Sequence, residues 1–388
     1  MLEEKKSKLE GLEFQMFVLD ELAESIENKG GDVIRLTLGK SPEPLNSKII
    51  KKYHEAIDDI SKRNIVYPQG LPELREEIAN WYTSLGNKID KSSVIINTGT
   101  SPFFKDLMKL LIDSTDQEIL MPHPYYSVYY VSAVLAGAKV KFYEIDQNSL
   151  KINMESFKNN YSQSKTKLVI LCSPGNPYGN ILSKSDFNKI LNVVGKDTFI
   201  LSDEIYRNVS FRNDSPSILD VTEDDSRVIV TNSFSKGFRM YTSRVGFVIL
   251  PKKLNKYFRV LQQHTLLTTN PVEQYAALEA IKQRSDVDII KKIYSERNNY
   301  IDRRLRNIKG IKNIKALGGF YCVINCSEYM NDNGISSSAV LARDILEKTG
   351  VAVVPGTDFG INDCLRISFT STRFVEAVNR LRDYFLGQ

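Results

Sequence analysis

Lys167-Leu168-Val169-Ile170-Leu171-Cys172, the turn Ser173-Pro174-Gly175-Asn176-Pro177, an amphipathic run from Ser183 to Val194, and Phe199-Ile200-Leu201-Ser202 together decide the fold. Two short, almost wholly apolar strands flank one helix. Strands that show no polar face are buried on both sides, and a crossover of this length joins parallel neighbours. Working outward, the same texture recurs. Val94–Asn97, Glu118–Met121, Lys139–Ile145, Val228–Thr231 and Val245–Leu250 are β-branched-rich runs ended by turn residues. Helical patterns cover roughly Ser101–Ile112, Ser127–Leu135 and Ser215–Leu219. The order predicts an α/β chain with a mostly parallel seven-stranded sheet flanked by helices.

From about Asn270 the pattern changes. A long helical stretch, Pro271 to about Arg306, leads to Lys315–Cys326, Val351–Val354 and Leu365–Phe369, then a closing helix from Arg373. At 388 residues the chain is long enough for two cores. The reading is a large domain over 40–285 and a smaller α+β domain built from 1–39 and 286–388.

The bulk numbers exclude several functions. The 52 Lys and Arg against 47 Asp and Glu leave a net charge of +5, too mild and too well mixed for nucleic acid or an anionic membrane. Cys172, Cys322, Cys326 and Cys364 form no CxxC pair, and His54, His123 and His264 sit at no ligand spacing, so no metal is expected. No apolar run reaches the roughly 18 residues a membrane span needs, and Met1–Gln15 has no apolar signal core, so the expected compartment is the cytoplasm. Gly39-Lys40-Ser41 mimics the end of a P-loop, but Ile34 stands where that motif needs glycine.

In open α/β sheets ligands bind at the strand ends, and here those ends are polar. They read Asn97-Thr98-Gly99-Thr100-Ser101, Ser173 to Pro177, Ser202-Asp203-Glu204-Ile205-Tyr206, and Thr231-Asn232-Ser233-Phe234-Ser235-Lys236. Arg244-Val245-Gly246 follows the last of these after eight residues. Ser233 to Lys236 with Arg244 resembles the SxSK…R-x-G signature of the class I/II aminotransferases, the fold-type I enzymes that use pyridoxal 5'-phosphate (PLP). Companion motifs match in order over nearly the whole chain: Leu38-Gly39, Tyr67-Pro68-Gln69-Gly70 through Leu74-Arg75, Gly99-Thr100-Ser101, Pro122-His123-Pro124-Tyr125-Tyr126, Asn176-Pro177-Tyr178-Gly179, Asp203 to Tyr206, Gly318-Gly319-Phe320, and Leu365-Arg366-Ile367-Ser368-Phe369.

The resemblance implies roles, and the chemistry accounts for the residue types. Lys236 would form the Schiff base with the cofactor aldehyde and later shuttle the α-proton. Asp203 would keep the pyridine nitrogen protonated, and Tyr206 and Asn176 would bond the ring's phenolic oxygen. Gly99, Thr100, Ser101, Ser233, Ser235 and Arg244 would hold the phosphate, which needs amide, hydroxyl and guanidinium donors once buried. Tyr126 would stack on the ring. Arg366, with Gly39 nearby, would clamp the substrate carboxylate in two-pronged fashion. Tyr67, in a turn preceded by Asn64-Ile65-Val66, would reach the partner's phosphate, which makes a homodimer with shared sites.

The sequence also departs from the family. Ser101 stands where one branch has a lysine for a second carboxylate, and Thr265 where another has an arginine. A dicarboxylate substrate is therefore unsupported, with Arg239 and Lys40 the remaining candidates. The glycine usual before the phosphate arginine is absent from Tyr241-Thr242-Ser243-Arg244, and Phe103-Phe104 is bulkier than the usual pair. A non-standard substrate is expected. The leading reading is transfer of an amino group between an L-amino acid and a 2-oxo acid. The alternative keeps the site and ends in elimination or cyclisation, a lyase outcome that these motifs do not separate from transfer. A regulator with such a domain as sensor would need an appended DNA-binding module, for which the match from Leu38 onward leaves no room.

Overall fold

The computed structural model describes residues 10–64, 67–84, 88–212, 214–222 and 226–388. The first nine residues of the sequence, and Ile65 and Val66 before Tyr67, lie outside this set. Seven strands form one sheet: β1 Val94–Thr98, β2 Glu118–His123, β3 Lys139–Glu144, β4 Thr166–Cys172, β5 Phe199–Asp203, β6 Val228–Ser233 and β7 Val245–Ile249. Their order is β1-β7-β6-β5-β4-β2-β3. β7 alone runs against its neighbours; the other adjacent pairs are parallel.

Burial follows from position in this order. β6 is buried at every residue, whereas the edge strand β3 exposes Lys139 and Glu144. Along β4, Val169 and Leu171 enter one core and Leu168, Ile170 and Cys172 the other, because successive side chains point to opposite faces. Helix ends are set locally. Ser183 and Asp186 form a capping box on Lys184–Val193, and Gly137, at φ 85°, closes Ser127–Ala136 in the left-handed conformation open to glycine.

A second sheet, of four antiparallel strands, is made by β8 Lys312–Ile314, β9 Tyr321–Asn325, β10 Val354–Pro355 and β11 Cys364–Ser368, in the order β10-β11-β9-β8. Ile34–Arg35 pairs in parallel with Val351–Ala352, which ties the N-terminal segment to this end of the chain. Two expectations need correction. Ser215–Leu219 is not a helix; only a three-residue 3-10 turn, Ile218–Asp220, forms, since Ser217 caps it through Asp220 at once. The stretch from Pro271 to Arg306 is two helices, Pro271–Lys282 and Val287–Leu305, separated at Gln283 and a 3-10 turn.

Candidate active site

Because β7 is reversed, the end of β1, the ends of β2, β4, β5 and β6 and the start of β7 all lie along one edge of the sheet. That edge opens on a cavity of about 170 Å3. Gly39, Thr100, Ser101, Tyr126, Asn176, Asp203, Tyr206, Ser233, Ser235, Lys236, Arg244 and Arg366 line it. Two candidates do not. Gly99 lies just behind, with φ 73°, and a Cβ there would meet the Arg244 guanidinium at 2.7 Å. Tyr67 is 43% exposed and outside the cavity of its own chain.

Lys236 sits on the turn after β6, and its Nζ donates to the Gly39 carbonyl at 2.9 Å. Burial, aided by the charges of Arg366 and Arg244, pulls its pKa below the ordinary lysine value. Asp203 ends β5 and is 2% exposed. Its carboxylate accepts from the Tyr129 hydroxyl, from the Ile205 amide at 3.2 Å and from the Thr231 hydroxyl at 3.2 Å. Burial outweighs these donors and raises its pKa to about 6. Such a carboxylate is stabilised as an anion by any cation placed against it.

A dianion would find its donors elsewhere on the cavity wall. Thr100 and Ser101 begin the helix Ser101–Leu111, whose first amides have no intrahelical partner. Ser233 Oγ and Ser235 Oγ are 2.9 Å apart, and Arg244 Nη1 reaches Ser235 Oγ at 3.4 Å. Arg244 has φ 53°, and its loop is fastened by a hydrogen bond between the hydroxyls of Ser243 and Tyr53. Ser243, in place of the usual glycine, thus uses its side chain.

Arg366 arrives from the four-stranded sheet, on β11. Nη2 donates to the Thr37 carbonyl at 2.7 Å and Nη1 to Asn176 Oδ1 at 3.2 Å. Nε is buried and has no hydrogen-bond partner among the described residues. Tyr321 and Phe359 present their rings to the guanidinium at 4.0 and 4.8 Å. A buried arginine with an unsatisfied donor and apolar walls suits a carboxylate.

Sequence reading passed over Tyr129, Tyr241, Tyr321, Cys172 and the wall formed by Phe14, Met16, Phe17 and Phe359. Tyr321 had a signal, since it follows the quoted Gly318-Gly319-Phe320. Tyr129 was one tyrosine in a run, and nothing local marks it as the partner of an aspartate 74 residues later. Of the candidates for a second carboxylate, Arg239 is taken by Asp286 at 2.9 Å and Lys40 is exposed; neither lines the cavity.

Known proteins share the sequence pattern and the fold. Residues 31–381 match the family Aminotransferase class I and II. The chain is 30% identical to the aspartate aminotransferase of Thermotoga maritima, over 94% of this chain and 95% of that one. It is 28% identical to the asparagine–oxo-acid transaminase of Streptococcus mutans, over 93% and 94%. The crystal structure of the Thermotoga maritima aspartate aminotransferase superposes with a TM-score of 0.87, covering 96% of this chain and 97% of that one. These are transaminases, so elimination is not favoured. With a family match across most of the sequence and the mostly parallel seven-stranded sheet in place, this chain belongs to the class I and II aminotransferases, a family that uses PLP, and it transfers amino groups.

Proposed function

We propose that the chain holds PLP in this cavity through Lys236 and exchanges an amino group between an L-amino acid and a 2-oxo acid. The observation that carries the reading is one buried lysine acted on by two guanidinium groups, with a buried carboxylate lining the same cavity, drawn from sequence positions 203, 236, 244 and 366. The residues present fit the group: a buried carboxylate on Asp203, a glycine turn under Arg244, and hydroxyls on Ser101, Ser233 and Ser235. When bound, PLP supplies an aldehyde for amine capture and a ring that takes up electron density from the α-carbon.

The rest is done by the chain. Arg244, Ser233, Ser235 and the amides of Thr100 and Ser101 hold the phosphate. Asp203, kept in place by Tyr129 and Thr231, keeps a proton on the pyridine nitrogen. Tyr126 would cover the ring, Tyr206 and Asn176 would bond its oxygen, and Arg366 would take the α-carboxylate beside Gly39. Lys236 Nζ would take the α-proton from the substrate and deliver it to the carbon that had carried the cofactor's aldehyde. With Lys236, Arg244 and Arg366 so engaged, the described residues lining the cavity offer the substrate's side chain Phe14, Met16, Phe17 and Leu38, and no further cation. We therefore read the amino donor as one with an uncharged, apolar side chain.

Assembly as a homodimer belongs to the same reading. Tyr67 is exposed beside Thr268, which donates to its carbonyl at 3.0 Å, and Leu267 next to it is 58% exposed. The two-domain division at 40–285, a cytoplasmic location and a place in amino-acid biosynthesis are carried with it. Purified Lys236→Ala should fold normally yet lack the visible absorption of lysine-linked cofactor. Survival of that absorption would remove Lys236 from its role.

A further inference from the structure

Tyr321 opens β9 and is buried. The register of β9 on β11 sets Val323 opposite Arg366 and Tyr321 opposite Ser368. Tyr321 and Arg366 therefore stand on one face of the sheet, diagonal to each other. The guanidinium lies 4.0 Å from the centre of the tyrosine ring. At the far end of that ring the hydroxyl lies beside the Lys236 amine, and it accepts from the Tyr206 hydroxyl at 3.4 Å. A Cβ on Gly39 would fall 2.0 Å from this oxygen and 2.7 Å from Lys236 Nζ. Glycine at 39 is what lets the phenol and the amine share the space.

One side chain thus touches both the lysine and the arginine. We propose that Tyr321 is a positioning residue for amino-group transfer: its hydroxyl keeps the Lys236 amine in place in both protonation states while its ring fixes Arg366. The inference rests on the reading of Lys236 given above. A phenol carries one proton and two lone pairs. One lone pair faces Tyr206; the proton and the other lone pair remain for Lys236. Toward an ammonium the oxygen accepts, and toward a free amine it donates. The Gly39 carbonyl can only accept, so it holds the amine only through an N–H. As Lys236 Nζ takes up the α-proton and gives it back, Tyr321 exchanges one role for the other with no heavy atom moved. The titratable groups acting at its hydroxyl are Lys236, Arg366, Tyr206, Tyr126 and Tyr294. Burial opposes ionisation of Tyr321, but the charges of Lys236 and Arg366, with hydrogen bonding to the phenol, outweigh it and draw the phenol below its usual range.

Tyr321→Phe removes the hydroxyl and keeps the ring against Arg366. The variant should bind PLP stoichiometrically and melt as the wild type does. Its kcat should fall about 10- to 100-fold, with KM for the amino donor changed less than about threefold, and the α-deuterium isotope effect on kcat should rise. A second readout needs no turnover. The rate at which cofactor-free protein captures PLP follows the free amine, and Tyr321 favours the ammonium, so the midpoint of that rate should move to lower pH in the variant. Unchanged kcat with an unmoved midpoint overturns the proposal, as does a KM effect alone, which would confine Tyr321 to the carboxylate clamp. A wild type that takes up no PLP would instead bring down the reading of Lys236; a working wild type beside an unaltered variant brings down only Tyr321.

Discussion

Asp203 is asked to be an anion where burial makes that costly. In the cofactor-free protein its pKa stands at about 6 against an ordinary 3.8. A native acid with a raised pKa binds more protons folded than unfolded, so stability falls as pH rises from about 4 to about 6 and stays lower above that. The loss is on the order of 3 kcal/mol. A protonated ring nitrogen against the carboxylate would reverse the effect. Cofactor-free Asp203→Asn should therefore be more stable than wild type at pH 8, by up to about 3 kcal/mol, and the two should converge below about pH 4. With PLP bound the order inverts in turnover, where the variant should lose about 10³. Thermal unfolding against pH and single-turnover rates check the two halves. A variant less stable than wild type at pH 8 would mean that hydrogen bonds, not burial, govern this carboxylate. Asp203 was legible because Asp203-Glu204-Ile205-Tyr206 follows a buried strand. Its partners Tyr129 and Thr231 were not, because only the packing of the sheet brings them to it.

At the scale of elements, strands were legible and some helices were not. A strand buried on both faces has a run of β-branched residues that no surface helix tolerates, and every strand of the seven-stranded sheet was anticipated within a residue or two. Gln283-Arg284-Ser285-Asp286 breaks a helix without any glycine or proline to announce it. The N-terminal helix Gln15–Asn28 gave no signal of a site. Its first amides, on Gln15 and Met16, donate to the Asp358 carboxylate at 2.9 and 3.0 Å, a cap supplied from the other end of the sequence. Anchored so, it holds Phe14 and Phe17 edge to face at 5.8 Å by the cavity, with Phe17 55% exposed. An exposed aromatic at such a mouth gains burial when an apolar side chain arrives. Leucine or phenylalanine should exceed aspartate as donor by about tenfold or more in kcat/KM, and Phe17→Ala should erase much of the margin. A donor panel followed by loss of the visible absorption decides it; aspartate in the lead would mean that a cation reaches the side chain from elsewhere.

For the whole molecule the telling residue is Tyr67. It belongs to the turn before Pro72–Thr83, stands 43% exposed, and lies away from the cavity that the other candidates share. An aromatic kept on such a turn, with exposed Leu267 next to the Thr268 that bonds it, is a surface awaiting cover. A two-fold dimer would cover it and carry Tyr67 to the partner's phosphate, so each site would be completed by the other chain. Tyr67→Phe should weaken PLP retention and leave the dimer intact. The sharper test mixes two inactive variants, Tyr67→Ala and Lys236→Ala, under conditions that exchange subunits. In a mixed dimer one site carries both defects and the other neither. If half of the dimers are mixed, activity should return to about a quarter of wild type. Were Tyr67 to serve its own chain, every site in the mixture would keep one defect, and exchange, verified by native mass spectrometry, would restore nothing.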